Sequence, residues 1–178
     1  MSGSKSSEMH IPVVAFVGRS NSGKTTIVER LLPVLKARGY RVAVVKHTLR
    51  NDIESDLPGK DTRRFWDAGA AHTTLATADR IVHTRRYEDV PSLEMALRGV
   101  CDVDLILLEG YKEGLHPKIE VVRAARDPHL LHDLAGRVAC VTDVAGLPWD
   151  GPCFGFDDIP ALADFIVARF VERREGRG

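Results

Sequence analysis

One stretch decides the fold: an apolar run, Val13-Val-Ala-Phe-Val17, is followed at once by Gly18-Arg-Ser-Asn-Ser-Gly23-Lys24-Thr25. The run is β-branched and short, which is typical of a strand buried on both faces of a parallel sheet. The residues after it match the phosphate-loop pattern G-x-x-x-x-G-K-[ST]. Apolar residues then recur at helical spacing up to Arg38, so the pattern lies between a strand and a helix, as it must to work.

Such a loop has a known physical basis for binding phosphate. Its glycines let backbone N–H groups turn inward around an anion, and the helix N-terminus adds a partial positive charge at the same place. Lys24 is placed to reach the β- and γ-phosphates of a nucleotide, and the Thr25 hydroxyl is placed to ligate Mg²⁺. The other interpretation is a Gly-rich turn with an exposed lysine.

A second acid for the metal is expected at the end of a neighbouring apolar strand. Glu109 follows Leu105-Ile-Leu-Leu108 directly, and strand ends in an α/β sheet face the ligand crevice. We therefore predict that Glu109 serves Mg²⁺. The alternative is that its side chain only caps the turn at Gly110.

The rest of the chain alternates strand and helix patterns, which predicts an α/β fold with a mostly parallel central sheet flanked by helices in three layers. We expect one nucleotide-binding domain over residues 11–175, preceded by a disordered tail or tag at 1–10. Strands are expected at 42–46, 73–76, 80–84, 103–108, 119–123, 138–142 and 152–156, and helices at 61–68, 92–99, 127–134 and 159–172. The segment 48–60 has no clear period and is expected to be a functional loop.

Composition excludes several functional classes. The 178 residues carry 25 basic and 25 acidic side chains, and this zero net charge disfavours a general nucleic-acid binder. No apolar run approaches the ~20 residues that a membrane span needs, so no membrane partner is expected. The three cysteines form no C-x-x-C pair, which disfavours a disulfide framework or zinc site and favours a reducing cytoplasm.

Several further segments carry a family resemblance. They are Val44-Val-Lys46-His47-Thr48, Asp56-Leu-Pro-Gly-Lys60-Asp-Thr62, Ala68-Gly-Ala70 and Leu105-Ile-Leu-Leu-Glu109-Gly-Tyr-Lys112. Together with the phosphate loop they resemble the MobB family of molybdopterin-guanine dinucleotide biosynthesis adaptor proteins, over almost the whole chain from about residue 10. The loop alone would specify only a nucleotide binder.

The resemblance implies a P-loop NTPase of the SIMIBI class that binds GTP, is at most a slow Mg²⁺-dependent GTPase, and forms a homodimer. Its implied partners are the molybdenum cofactor guanylyltransferase and molybdopterin or Mo-molybdopterin. Lys24 and Glu109 would be the catalytic residues, and Asp56 would join Thr25 and Glu109 around Mg²⁺, although an Asp before Leu-Pro-Gly also starts turns. The residues implied to bind phosphates are Gly18, Arg19, Ser20, Asn21, Ser22, Gly23, Lys24, Thr25 and Thr26.

Guanine selection requires a carboxylate, because guanine presents N–H donors that adenine lacks. The usual Asn-Lys-x-Asp motif is not in the sequence. Thr142 and Asp143, at the end of a predicted strand, are the substitute we predict, and a simple turn-forming role for Asp143 is equally compatible with the pattern.

Two other functions remain open at this point. A small-molecule kinase would need an arginine-rich lid. A metal-delivery GTPase would need a cluster of Cys and His residues, and the sequence does not offer such a cluster. Lys60, Arg63, Arg64 and Lys112 fit either a phosphate-binding patch or a solvated surface. Arg19 is the candidate to neutralise a transition state, and an ion pair elsewhere is as compatible with its position.

Overall fold

The computed structural model describes residues 11–48 and 61–172. Contacts divide the chain into two compact units. The first consists of residues 1–47 and 97–178, and the second of residues 48–96. The predicted ligand Asp56 and the predicted basic residue Lys60 lie outside the described residues.

The first unit contains a six-stranded sheet in which every strand pair is parallel, as predicted. Its strands, in spatial order, are β2 (Val42–Lys46), β5 (Leu105–Glu109), β1 (Val13–Val17), β6 (Lys118–Val122), β7 (Arg137–Thr142) and β8 (Cys153–Phe154). Every residue of β5 and β6 is buried. In β5 this matches a nearly continuous apolar run, as expected for a central parallel strand, whereas β6 also buries the charged Lys118 and Glu120.

The register brings the carboxyl ends of neighbouring strands together. Phe16 of β1 pairs with Glu109 of β5 on one side and with Ile119 of β6 on the other. Lys46 of β2 pairs with Glu109 as well. The residues that follow these strands therefore meet at one edge of the sheet, where ligands of such sheets bind.

Helices α1 (Lys24–Ala37) and α4 (Ile159–Ile166) pack on one face of this sheet, and α4 continues as a π-helical turn over Val167–Val171. Pro33 lies inside α1 without ending it. The helix residues Ile27, Leu31, Leu162 and Ile166 are fully buried and belong to the core cluster with Phe16 and Leu107. This core fixes the start of α1, and with it the phosphate loop.

The second unit contains α2 (Asp61–Asp67) and an antiparallel hairpin of β3 (His72–Ala76) and β4 (Ile81–Arg85). A short helix, α3 (Leu93–Leu97), starts in this unit and ends in the first. None of the residues of α2, β3 or β4 is buried. Their side chains therefore do not form a core of their own among the described residues.

The predicted helix over 127–134 is wrong. The segment is irregular, because the buried Glu120 carboxylate accepts a hydrogen bond from the Leu131 backbone N–H at 2.7 Å, and Arg137 donates to the Leu131 carbonyl at 2.7 Å. Asp133 has a left-handed φ of 52°, which a helix does not permit. His129 and His132, which a helix would place on one face at positions i and i+3, therefore do not share a face.

Two strands are shorter than predicted. β5 starts at Leu105 rather than 103, where the Asp104 carboxylate accepts hydrogen bonds from the Arg41 backbone and guanidinium. β8 spans only Cys153–Phe154. No helix within the described part of the chain is both long and apolar enough to span a membrane.

Candidate functional site

The loop between β1 and α1 can be built only with glycine at its first position. Gly18 has a φ of 148°, and a Cβ there would lie 2.4 Å from the Val121 carbonyl oxygen and 2.9 Å from the Ser22 Oγ. Gly23, which precedes α1, also has a left-handed φ, of 99°. These glycines let the backbone turn tightly and keep the space over the helix N-terminus open.

Ser22 supplies a test of whether this loop fits an anion. The residue is 2% exposed, and its Oγ has no hydrogen-bond partner among the described residues. A buried hydroxyl without a partner is costly, and a phosphate oxygen would satisfy its O–H. Arg19, Ser20 and Asn21 are exposed at the tip of the loop. The loop therefore fits a phosphate group.

Lys24 lies across the loop. Its Nζ donates to the Arg19 carbonyl at 2.6 Å and to the Gly18 carbonyl at 3.3 Å. Burial lowers the pKa of Lys24, and the Glu109 carboxylate opposes that shift. The ammonium groups of Lys112 and Lys46 lower this pKa further, so cations converge on the loop.

Thr25 and Glu109 come together as predicted. The Thr25 hydroxyl donates to the Glu109 Oε1 at 2.9 Å, although 84 residues separate them in sequence. The Glu109 side chain is only 11% exposed, and Lys46 Nζ lies 3.2 Å from the same oxygen. A hydroxyl and a carboxylate oxygen side by side are the hard donors that Mg²⁺ prefers, so these residues fit the predicted metal.

Arg19 forms an ion pair within the protein, which is the alternative to its predicted role of neutralising a transition state. Arg19 Nε forms an ion pair with Asp127 Oδ2 at 2.5 Å. The other Asp127 oxygen accepts hydrogen bonds from the His129 backbone N–H at 2.9 Å and from its ring. The hydrogen bonds from His129 and the charge of Arg19 lower the pKa of Asp127. Asp127 therefore anchors a P-loop side chain to the segment after β6.

Thr142 ends β7, and Asp143 follows it and contacts the segment after β6. The Thr142 Oγ1 accepts a hydrogen bond from the Val144 N–H at 2.9 Å. Asp143 Oδ1 accepts one from the Ala124 N–H at 2.7 Å, and Asp143 Oδ2 lies 3.6 Å from Arg123 Nε. Both carboxylate oxygens thus have partners within the protein, although the side chain is 42% exposed.

Arg123 links Asp143 to the phosphate loop. Its guanidinium lies 4.3 Å from the centre of the Phe156 ring, and its Nη1 is 3.8 Å from where a Cβ on Gly23 would be. Phe156 is held in turn by Arg30 of α1, which donates to its carbonyl at 2.6 Å. Asp143, Arg123 and Phe156 therefore lie in one chain of contacts that reaches the start of α1.

A strained turn follows Glu109. Gly110 and Tyr111 both have left-handed φ values, of 98° and 45°, and such a value is rare for an aromatic residue. The Tyr111 ring lies 4.7 Å from the His47 ring, and the Tyr111 carbonyl contacts His116 Nε2 at 3.0 Å. Burial raises the pKa of Tyr111 and lowers that of His116.

The predicted residues fall into three sets. The structure brings Lys24, Thr25 and Glu109 together, connects Asp143 to the loop through Arg123, and leaves Arg63 and Arg64 in local ion pairs with Asp67 and Asp61 of the second unit. Thr26 is exposed in the first turn of α1.

Sequence reasoning missed Lys46, Arg123, Asp127 and Phe156. Lys46 and Arg123 end or follow strands, so the same strand-end rule that found Glu109 was available for them. Asp127 and Phe156 lie in loops whose sequence carries no comparable signal. Their roles depend on contacts with distant residues.

Comparisons with known proteins agree with this geometry. The sequence profile of the family described as molybdopterin guanine dinucleotide synthesis protein B matches residues 13–143. The molybdopterin-guanine dinucleotide biosynthesis adapter protein of Escherichia coli K12 is 34% identical over 93% of this chain and 97% of its own length. That of Haemophilus influenzae is also 34% identical, over 88% of each chain.

A solved structure shows the same fold. The crystal structure of molybdopterin-guanine biosynthesis protein B superimposes with a TM-score of 0.71 and 27% identity, covering 88% of this chain and 98% of that one. Its agreement confirms the predicted fold class, a mostly parallel sheet flanked by helices. The matched range 13–143 includes the phosphate loop, Glu109 and Asp143.

Proposed function

The chain belongs to the molybdopterin guanine dinucleotide synthesis protein B (MobB) family, and from this premise we propose that it binds GTP with Mg²⁺ as an adaptor in molybdopterin-guanine dinucleotide biosynthesis. The observation that carries the proposal is the 2.9 Å contact between the Thr25 hydroxyl and the Glu109 carboxylate beside the glycine-built loop. A nucleoside triphosphate with its metal ion requires a pair of metal-ligating side chains beside a phosphate-binding loop.

In this proposal each residue of the loop has a distinct task. The backbone from Gly18 to Gly23 and the Ser22 hydroxyl bind phosphate oxygens, and Lys24 leaves the loop carbonyls to reach the β- and γ-phosphates. Thr25 and Glu109 hold Mg²⁺, which when bound neutralises phosphate charge. Asp56 remains a proposed third metal ligand.

We propose that Asp143 reads the guanine base, with Thr142 fixing the turn that carries it. The contact between Arg123 and Asp143 and the approach of Arg123 to Gly23 support this, because they tie the carboxylate to the nucleotide end of α1. Guanine would have to compete with Arg123 and with the Ala124 N–H for the carboxylate oxygens. The residue therefore adds discrimination more than affinity.

Hydrolysis by the protein alone is proposed to be slow. The loop arginine, Arg19, is held by Asp127 at 2.5 Å, so its charge is already partly neutralised. P-loop enzymes that hydrolyse efficiently use an arginine on the transferred phosphate, often from a partner, at a gain of about 10³ to 10⁵ in rate. Lys24 and Glu109 are the residues of this chain that would support the reaction.

The adaptor role requires a partner. We propose the cytoplasmic molybdenum cofactor guanylyltransferase, with molybdopterin or Mo-molybdopterin as the shared ligand, and a homodimeric protein. The names of the relatives support the pathway. Sedimentation of the protein with and without a guanylyltransferase tests both assemblies, and a monomer that ignores the enzyme would contradict them.

The decisive test of nucleotide binding is calorimetric titration of the purified protein with GTP, ATP and CTP, with and without Mg²⁺. We expect Lys24→Ala to weaken GTP binding at least about tenfold with little loss of fold, because its charge-assisted hydrogen bonds serve the ligand. Lys36→Ala, an exposed lysine at the other end of α1, is the matched control. Unchanged GTP affinity in Lys24→Ala would refute the site.

Base recognition has a separate test. Asp143→Ala is expected to reduce the preference for GTP over ATP more than it reduces total triphosphate affinity. Asp157→Ala is the control, since it removes an exposed carboxylate that pairs with Arg30 instead. Equal preference in the Asp143 variant and the parent would remove Asp143 from the proposal.

A further inference from the structure

Two lysines beside the loop, Lys46 and Lys112, have no task in the proposed nucleotide site. Lys46 Nζ contacts Glu109 Oε1 at 3.2 Å, and its side chain is 57% exposed. Lys112 is exposed and lies close enough for its charge to act on Lys24. Lys24 is assigned to the nucleotide phosphates, which leaves Lys46 and Lys112 without a ligand.

The backbone that carries these two lysines is fixed by a hydrogen bond, a close contact and a strained turn. His47 donates its backbone N–H to the Glu109 carbonyl at 2.9 Å, which joins the ends of β2 and β5. A Cβ on Gly110 would lie 3.3 Å from the His47 carbonyl oxygen, so the turn passes close to β2. Left-handed residues in succession, Gly110 and Tyr111, then redirect the chain at Lys112. Strain of this kind concentrates at functional sites.

A pair of aromatic rings lies next to the cations. The Tyr111 and His47 rings are 4.7 Å apart, each adjacent in sequence to one of the two lysines. Tyr111 is half-buried, and His116 holds its carbonyl at 3.0 Å. A ligand that brings both a phosphate and a flat organic group would contact the lysines and these rings together.

A divalent cation and Lys46 compete for the same oxygen of Glu109. The Glu109 Oε1 already accepts the Thr25 hydroxyl at 2.9 Å, and the Lys46 ammonium lies 3.2 Å from it. A cation of charge +2 attracts this carboxylate more strongly than an ammonium does. Metal binding at Glu109 would therefore free Lys46 for another anion.

We propose that Lys46 and Lys112 form a second anion site beside the phosphate loop, which takes the phosphate of an organic phosphomonoester. The inference rests on the proposed function, because a dinucleotide joins two phosphates and the acceptor of a guanylyl group must therefore bring a phosphomonoester. The site holds that acceptor next to the nucleotide and performs no bond-making step itself. Its ligand class is an aromatic or heterocyclic monophosphate.

The test uses the full-length protein saturated with GDP and Mg²⁺, so that the phosphate loop is filled. Phenyl phosphate and inorganic phosphate are then titrated separately by calorimetry. Phenyl phosphate is expected to bind, and more tightly than inorganic phosphate. Lys46→Met and Lys112→Met are each expected to weaken phenyl phosphate binding about tenfold, the loss typical of one charged hydrogen bond. Lys36→Met is the matched control and should bind like the parent.

The outcomes separate this proposal from the nucleotide proposal. Failure of phenyl phosphate to bind, equal affinity in both lysine variants and the parent, or equal affinity for inorganic phosphate would each overturn the second site. Saturation with nucleotide is verified directly in every variant, and circular dichroism checks the fold. If the parent does not bind GTP but phenyl phosphate still depends on Lys46 and Lys112, the proposed function fails while the anion site stands.

Discussion

The two units of the chain bury their residues very differently. In the first unit the central strands β5 and β6 are buried at every position, and α1 and α4 cover the core that contains Phe16. In the described part of the second unit, α2, β3 and β4 have no buried residue. Among residues 11–48 and 61–172, most of the large hydrophobic side chains that are exposed belong to the second unit: Phe65, Leu75, Ile81, Val82, Tyr87 and Val90.

This contrast indicates that the first unit is held rigidly by its core and that the second unit is mostly exposed surface. Binding groups need fixed geometry, and the proposed binding residues Lys24, Thr25 and Glu109 are all attached to the buried sheet or to the helix packed on it. The second unit, called the hairpin unit below, has exposed apolar side chains and no buried residue in α2, β3 or β4. Its residues should therefore tolerate substitution far better. The predictions below test that difference with matched pairs of variants.

The largest difference is expected between two phenylalanines. Phe16→Ala should lower the free energy of unfolding by about 3 to 5 kcal/mol, because it leaves a cavity in a core where Phe16 is fully buried. Phe65→Ala in α2 should cost less than about 1 kcal/mol, since that side chain is 61% exposed. Urea unfolding followed by circular dichroism measures both. Similar losses would show that the hairpin unit is as constrained as the sheet.

Ion pairs should differ next. Glu120 is 1% exposed, accepts from Arg137 Nε at 2.7 Å and from the Leu131 N–H, and its removal leaves Arg137 without its carboxylate. Glu120→Ala should cost about 3 kcal/mol. Asp67→Ala breaks an exposed i,i+4 pair with Arg63 and should cost about 0.5 kcal/mol or less. Equal costs in urea unfolding would argue against a structural role for the buried pair.

Two left-handed glycines form the third pair. Gly18→Ala should cost about 2 kcal/mol and abolish GTP binding, because its Cβ would lie 2.4 Å from the Val121 carbonyl oxygen. Gly69 in the hairpin unit has a φ of 103°, but a Cβ there would meet no atom within 4 Å. Gly69→Ala should therefore lower the free energy of unfolding only by the backbone strain, about 1 kcal/mol. Thermal unfolding and GTP titration report the two effects. Retained GTP binding in Gly18→Ala would contradict the proposed loop.

The smallest effect concerns acid. Burial lowers the pKa of His116 in the folded protein, so the unfolded chain takes up a proton first as the pH falls. The stability that neutral His116 contributes is therefore present above about pH 6.5 and is lost as the pH falls from there towards the folded pKa. Unfolding measured from pH 7.5 to 5 should show a shallower loss in His116→Gln than in the parent.

The control for this pH effect lies in the hairpin unit. His72 and His83 are exposed on β3 and β4, so the double variant His72→Gln/His83→Gln should retain the parent's pH dependence. A parent slope that survives in His116→Gln but disappears in the double variant would assign the acid sensitivity to the hairpin instead.

Strong local patterns predicted most of the first unit. The apolar run Val13–Val17 became β1, the phosphate-loop pattern led into α1, and Leu105–Glu109 became the strand that places Glu109 beside Thr25. The helix predicted over residues 127–134 does not form, for a reason that local periodicity cannot show. There the buried carboxylate of Glu120 binds the backbone of Leu131 and replaces the helical hydrogen bonds.

The sequence by itself determined the strand, loop and helix of the proposed phosphate site, because glycine positions and apolar periodicity act through neighbouring residues. Only the tertiary structure decided that Arg19 pairs with Asp127, that Arg123 lies between Asp143 and the loop, and that Lys46 shares the Glu109 oxygen with Thr25. These contacts depend on the order and register of parallel strands. Residues far apart in the chain create that order, and their pairing leaves no periodic trace in the sequence.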